Sequence, residues 1–170
     1  LFAIKFLDME VSKTIFFLLI AITSLLAASA QSSTESPLDT TMFGRNTKVG
    51  RYVKTRGFNM YYETYGNGSP LLIIHGNGGS INNFLYQIPY FARTYKVILA
   101  DSRAQGKSVD AGDSLSYEMM TDDLNALLDT LHLDSCYVIG WSDGGINGLL
   151  LAMRHPDKVK KLAVTGANLW

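Results

Sequence analysis

The sequence has 170 residues with only one cysteine, four prolines and three histidines, and it carries no net charge. A single thiol, Cys136, excludes an intrachain disulfide framework. Set in the apolar run CYVIG, it reads as a core thiol rather than a reactive one. Fifteen Lys and Arg balance fifteen Asp and Glu, so neither nucleic acid nor an anionic membrane surface is expected as a partner. No group of residues has metal-ligand spacing, and neither a metal nor an organic cofactor is implied. The longest apolar run, Ile15 to Ala30, has 16 residues and includes Thr23, Ser24 and Ser29. That is short of the roughly 20 apolar residues that a spanning helix requires.

This run has another reading. From Met9, a plausible start of translation, the chain reads MEVSKTIFFLLIAITSLLAASAQSS. A short polar region with Lys13, an apolar stretch and Ala28-Ser29-Ala30 before Gln31 form the pattern of a secretory signal peptide. Residues 1–30 are therefore expected to be a cleaved signal, leaving an exported protein with no membrane segment. Residues 31–48, QSSTESPLDTTMFGRNTK, are polar and aperiodic and read as a flexible lead-in. A folded domain is expected over 49–170.

Within that domain, RYVKT and FNMYYETY read as two strands. Four short apolar runs follow: Leu71–Ile74, Val97–Ala100, Tyr137–Ile139 and Leu162–Val164. Runs of this kind suit strands buried on both faces of a parallel sheet. Between them lie three helical patterns. The clearest covers Ser116 to Leu131, with Tyr117, Met120, Leu124, Leu127, Leu128 and Leu131 on one stripe and Ser116 as the cap. A second is expected over Asn82–Arg93, and a third over Asp143–His155, ended by Pro156. Strands alternating with helices predict an α/β fold with a mostly parallel sheet and helices on both faces.

Two motifs carry chemistry. Gly140-Trp141-Ser142-Asp143-Gly144 falls where a strand closes and a helix opens. The serine would stand on a tight turn at the C-terminal edge of the sheet, with helix N–H groups beside it. Ser142 is thus a candidate nucleophile, and the N–H of Asp143 a candidate oxyanion donor. His75-Gly76-Asn77-Gly78-Gly79 follows an earlier strand, and the N–H of Asn77 is the second candidate donor. Taken alone, HGNGG also fits a glycine-rich turn that binds nothing.

Together with DSRAQGKS (Asp101–Ser108) and RHPDKV (Arg154–Val159), these motifs resemble the first half of an α/β-hydrolase domain. The fit departs at Ala104, where that family usually has glycine, which implies a slightly different loop backbone. VIGWSDGG and VTGANLW resemble, more narrowly, the branch of amino-acid ester hydrolases that includes valacyclovirase, the biphenyl hydrolase-like branch. That likeness implies that the Asp143 carboxylate recognises a substrate ammonium group. The alternative is an aspartate that only complements the helix dipole.

None of the three histidines fits as the base. His75 belongs to the glycine-rich loop, and His132 sits at the opposite edge of the sheet. His155 lies about 19 Å along the helix from Ser142, at 1.5 Å per residue. The family's order of serine, acid and histidine implies that the acid, the base, the last strands and the lid lie beyond Trp170, so the chain by itself is expected to be inactive. The resemblance implies a serine hydrolase acting on a small-molecule ester, without a cofactor. Lactonase, aminopeptidase, acyltransferase or perhydrolase chemistry, and a non-catalytic binding role, remain open at this point.

Overall fold

The computed structural model describes residues 40–112 and 114–168. The expected signal peptide, residues 1–30, lies outside the described residues, as does the first part of the lead-in. Six strands form one sheet: β1 (Arg51–Thr55), β2 (Phe58–Tyr65), β3 (Ser69–Ile74), β4 (Tyr95–Ala100), β5 (Cys136–Trp141) and β6 (Val159–Thr165). Their spatial order is β1-β2-β4-β3-β5-β6. The β1/β2 and β2/β4 pairs are antiparallel, whereas β4, β3, β5 and β6 run parallel. The sheet is therefore mostly parallel, as its continuous apolar runs require.

The period-2 alternation of the strands divides the core between the two faces. Leu72 and Ile74 of β3 pack with Ile98 and Val138 against Leu124, Leu127, Leu128 and Leu151. The leucines belong to helices α2 (Tyr117–Thr130) and α3 (Asp143–Arg154). Leu71 and Ile73 point the other way, meeting Val97 and Leu99 from β4 and Ile81, Phe84 and Ile88 beneath the sheet. Both faces are covered by helical segments, so the central strands carry no solvent-facing row.

The sequence patterns translate into elements with two differences. Helix α2 begins as expected, with the Ser116 hydroxyl accepting the Met119 N–H at 3.2 Å. The helix expected over Asn82–Arg93 is instead a 3-10 turn, Ile81–Phe84, followed by the short helix α1, Gln87–Phe91. Pro89 has no N–H to give to a preceding turn, so it is accommodated only in the first turn of a new helix.

Of the lead-in expected over 31–48, the described part packs against β2. Phe43 is only 3% exposed and meets Tyr65 edge-on at 4.9 Å. The N–H groups of Gly44 and Asn46 donate to the two oxygens of Glu63, at 2.8 and 2.9 Å. The hydroxyls of Tyr61 and Tyr65 donate to the same carboxylate, each at 2.6 Å. Four donors satisfy a fully buried anion that has no cationic partner among the described residues, and they fasten residues 43–46 to β2.

Candidate active site

Between β5 and α3 the chain reverses at a single residue. Ser142 has φ 54° and ψ −124°, a combination that L-residues adopt only under strain. Its N–H donates to the Thr165 carbonyl at 2.9 Å, and its own carbonyl accepts from Gly145 at 2.8 Å. The turn is thus held from both sides, by the end of β6 and by the first turn of α3. The glycines two positions away are required by space. A methyl group at Gly140 would fall on the Gly144 carbonyl, and one at Gly144 would fall on the carbonyl of Ile74 and come within 2.6 Å of that of His75. This tight crossing sets Ser142 at the C-terminal edge of the sheet, next to the end of β3.

The loop after β3 lies against the same turn. A Cβ built on Gly76 would stand 2.9 Å from the Ser142 Cβ. Asn77 follows in that loop, and Asn77 and Asp143 line one cavity of about 410 Å³, together with Leu115, Ser116, Tyr117 and Met120. Asp143 is the first residue of α3, where a backbone N–H has no partner within its own helix. The structure thus brings Ser142, Asn77 and Asp143, the three residues singled out in the sequence, to one edge of the sheet.

The histidines are occupied elsewhere. His75 is 2% exposed; its Nε2 accepts the Ser102 N–H at 2.9 Å, and its Nδ1 lies 2.7 Å from the Gly76 carbonyl. Nδ1 therefore carries the proton, and neither ring nitrogen is left for Ser142. Burial holds its pKa below the ordinary 6.5, so the ring is neutral. Nε2 of His155 pairs with Asp122 at 3.1 Å, at the far end of α3. His132 follows α2, ahead of the whole length of β5, about 20 Å from Ser142 at 3.3 Å per strand residue.

The loop after β4 locks this edge. Asp101 accepts the Ile81 N–H at 2.9 Å and the Lys107 N–H at 2.7 Å, while burial pushes its carboxyl pKa upward. Ser108 donates to the Asp101 carbonyl at 2.6 Å and accepts the Tyr61 N–H at 2.9 Å. Arg103 forms a two-pronged pair with Asp123, both contacts at 2.7 Å, and lies 4.2 Å over the Phe58 ring. Ala104, where glycine was expected, itself takes φ 59°. This is the left-handed region, which glycine enters without a steric cost and alanine does not.

One site residue escaped the sequence reading. Tyr117 was counted in the apolar stripe of α2, yet it is only half-buried and lines the cavity together with Asp143. Burial and the neighbouring Asp143 charge raise its pKa above 10.0. Its place as the first residue of α2, directly after the capping Ser116, was the available signal. Such a position faces the loops of the sheet edge rather than the core.

Comparison with known proteins adds to this geometry. A family model described as alpha/beta hydrolase fold matches residues 69–170. The chain is similar to the strigolactone esterase RMS3 of Pisum sativum, 35% identical over 116 residues that cover 65% of this chain and 43% of that protein. It is also similar to the hydrolase YraK of Bacillus subtilis (strain 168), 34% identical over 105 residues, 61% of this chain and 39% of that one. Among solved structures it superposes on Est816, described as an N-acyl homoserine lactone degrading enzyme. The TM-score is 0.66 at 30% identity, over 69% of this chain and 45% of that one. The chain spans about two fifths of the length of the curated relatives named here.

Proposed function

The chain belongs to the α/β-hydrolase fold family, and from that premise we propose that it is the nucleophile-bearing part of a serine hydrolase that cleaves carboxylic esters. One observation carries this reading: Ser142 holds a strained φ of 54° between a strand and a helix, with the loop after β3 packed beside it. Strain of about 1–3 kcal/mol at one residue persists where the surrounding structure over-determines it, and such residues cluster at functional sites.

In this reading Ser142 Oγ bonds to the ester carbonyl carbon while its proton passes to a histidine outside these 170 residues. The carbonyl π pair moves onto oxygen, where the N–H groups of Asn77 and Asp143 receive it. Collapse of the adduct breaks the bond to the alcohol, which leaves with the proton. Water then adds to the acyl-enzyme by the same route and releases the acid and free Ser142. The Asp143 side chain, facing the cavity beside the scissile carbonyl, accepts an ammonium group, so amino-acid esters are the preferred class.

A second reading is cyclic esters, for which the likeness to Est816 is the supporting observation. Ring opening of a lactone uses the same attack and the same oxyanion, and differs only in that the alcohol stays tethered to the acyl group. Export through residues 1–30 belongs to the same proposal. Its check is the N-terminal residue of the mature protein, expected at Gln31.

The test of the nucleophile is covalent labelling of the full-length protein by a fluorophosphonate probe. Labelling at Ser142, lost in Ser142→Ala, is the expected result. An inert wild-type protein would overturn the enzymatic reading and leave a binding member of the family.

A further inference from the structure

Three separate stretches of chain line a second cavity, of about 400 Å³, that shares no residue with the one beside Ser142. The lead-in supplies one wall, from Thr41 to Arg45. Ser80, Asn82 and Leu85 form a second, and Asp101, Gly106 and Lys107 of the loop after β4 form the third. The first wall stands there because Glu63 holds it, through the N–H groups of Gly44 and Asn46. A volume of this size suits a small organic molecule.

The charges of the lining are unevenly placed. Arg45 and Lys107 are exposed. Arg45 gives its Nε–H to the Thr41 carbonyl at 2.8 Å, which leaves the terminal N–H groups of the guanidinium as donors. The Lys107 ammonium lies 4.4 Å from the centre of the Tyr61 ring. Neither cation has a carboxylate partner among the described residues. Asp101, the one acid of the lining, is only 1% exposed. Its oxygens accept the Ile81 and Lys107 N–H groups, and a Cβ at Gly106 would fall on the same carboxylate. A ligand in the cavity therefore meets the two cations rather than the acid, and the lining keeps one positive charge in excess.

Polar and apolar groups complete it. The Ser80 hydroxyl donates to Asn82 Oδ1 at 2.6 Å, which leaves the Asn82 amide N–H groups for another acceptor. Phe43 and Leu85 add apolar surface. A guanidinium with unused terminal N–H groups matches the two oxygens of a carboxylate. One excess positive charge suits a monoanion, whereas the second charge of a phosphate dianion would stay uncompensated. The apolar groups suit a short hydrocarbon tail.

We propose that this cavity binds a small monocarboxylate with a short apolar tail, at a site separate from Ser142. Arg45 and Asn82 donate to the carboxylate, Lys107 adds the second positive charge, and Phe43 and Leu85 cover the tail. The lead-in and the other two walls contact the same ligand, so binding fastens the lead-in more firmly to the domain. The proposal holds whether or not Ser142 is a nucleophile.

The test is a titration of the full-length protein with butyrate, followed by amide chemical shifts in NMR. Butyramide serves as the neutral probe and inorganic phosphate as the other anion. Butyrate is expected to shift the amides of Gly44, Asn82 and Gly106, and to bind about tenfold more tightly than butyramide. Arg45→Gln, at an exposed side chain, is expected to weaken butyrate about tenfold and to leave butyramide unchanged. Equal binding of the two probes, an unchanged butyrate affinity in Arg45→Gln, or the absence of a saturable shift overturns the proposal. Shifts confined to Asn77, Ser142 and Asp143 overturn it as well, since the carboxylate would then sit at the nucleophile. Tighter binding of phosphate than of butyrate overturns the assignment to a monocarboxylate.

Discussion

The backbone N–H of Ser102 donates to Nε2 of His75 at 2.9 Å, joining the loop after β4 to the end of β3 through a buried ring. Protonating Nε2 would remove the acceptor and bury a charge. Burial sets the folded pKa of His75 below the ordinary 6.5, so the unfolded chain takes up a proton first as the pH falls. The stabilisation is fully present above pH 6.5 and is lost as the pH falls toward the folded value. A fall in stability is expected between pH 7.5 and 5.5, measured by urea unfolding. A His75→Gln variant should show a flatter profile over this interval.

The strain at Ser142 predicts an opposition between stability and activity. Glycine adopts φ 54° without the clash that a Cβ brings, so Ser142→Gly is expected to raise stability by about 1 kcal/mol while abolishing fluorophosphonate labelling. Ser142→Ala keeps the Cβ and should abolish labelling without the gain. Thermal unfolding of the two variants side by side separates backbone strain from loss of the hydroxyl.

Ala104 gives the same physics away from the proposed chemistry. It is exposed and holds φ 59°, a conformation that costs an L-residue about 1–2 kcal/mol. Ala104→Gly should stabilise the protein by about 0.5–1 kcal/mol, the remainder being offset by the greater freedom of glycine in the unfolded chain. A lower unfolding midpoint in this variant would contradict the left-handed assignment.

Alkali should act through Glu63 and its neighbours. Tyr61 and Tyr65 both donate to its carboxylate, and burial together with that anion raises their pKa values above 10.0. Burial likewise lifts Cys136 from 9.0 to about 11. Each raised value means that the folded state holds its proton longer than the unfolded chain. Stability is therefore whole below pH 9 and declines as the pH rises, first through Cys136 and then, past pH 10, through the tyrosines. Glu63→Ala leaves four donors without their acceptor, two of them buried, and should cost about 3–5 kcal/mol. In hydrogen exchange, the amides of Gly44 and Asn46 should lose protection first.

Much of this architecture was legible because it rests on local pattern. Leu71–Ile74 is apolar at every position, and a strand covered on both faces requires that. Ser116 stands one residue before an apolar stripe of helical period, and it caps that helix. Ser142 was legible because the crossing of β5 and α3 admits only hydrogen at Gly140 and Gly144. The illegible parts depend on partners distant in sequence. Nothing in TTMFGRNTK announces that packing, since the acceptor for Gly44 and Asn46 is a carboxylate on β2. Tyr117 looks like one more apolar residue of a stripe until the fold sets it in one cavity wall with Asp143. The break in the helix after Phe84 was legible in principle, because Pro89 forbids a continuous turn, but the apolar spacing across it concealed the break.

At the C-terminal edge of the sheet the loops after β3 and β4 are hydrogen-bonded to each other, through His75 and Ser102 and through Ile81 and Asp101, while the turn at Ser142 is bonded to Thr165 at the end of β6 and packs closely on Gly76. An edge built in this way is inherited as a unit, since a change in one loop is felt by the others. Segments that lie above it are under no such constraint and are free to diverge.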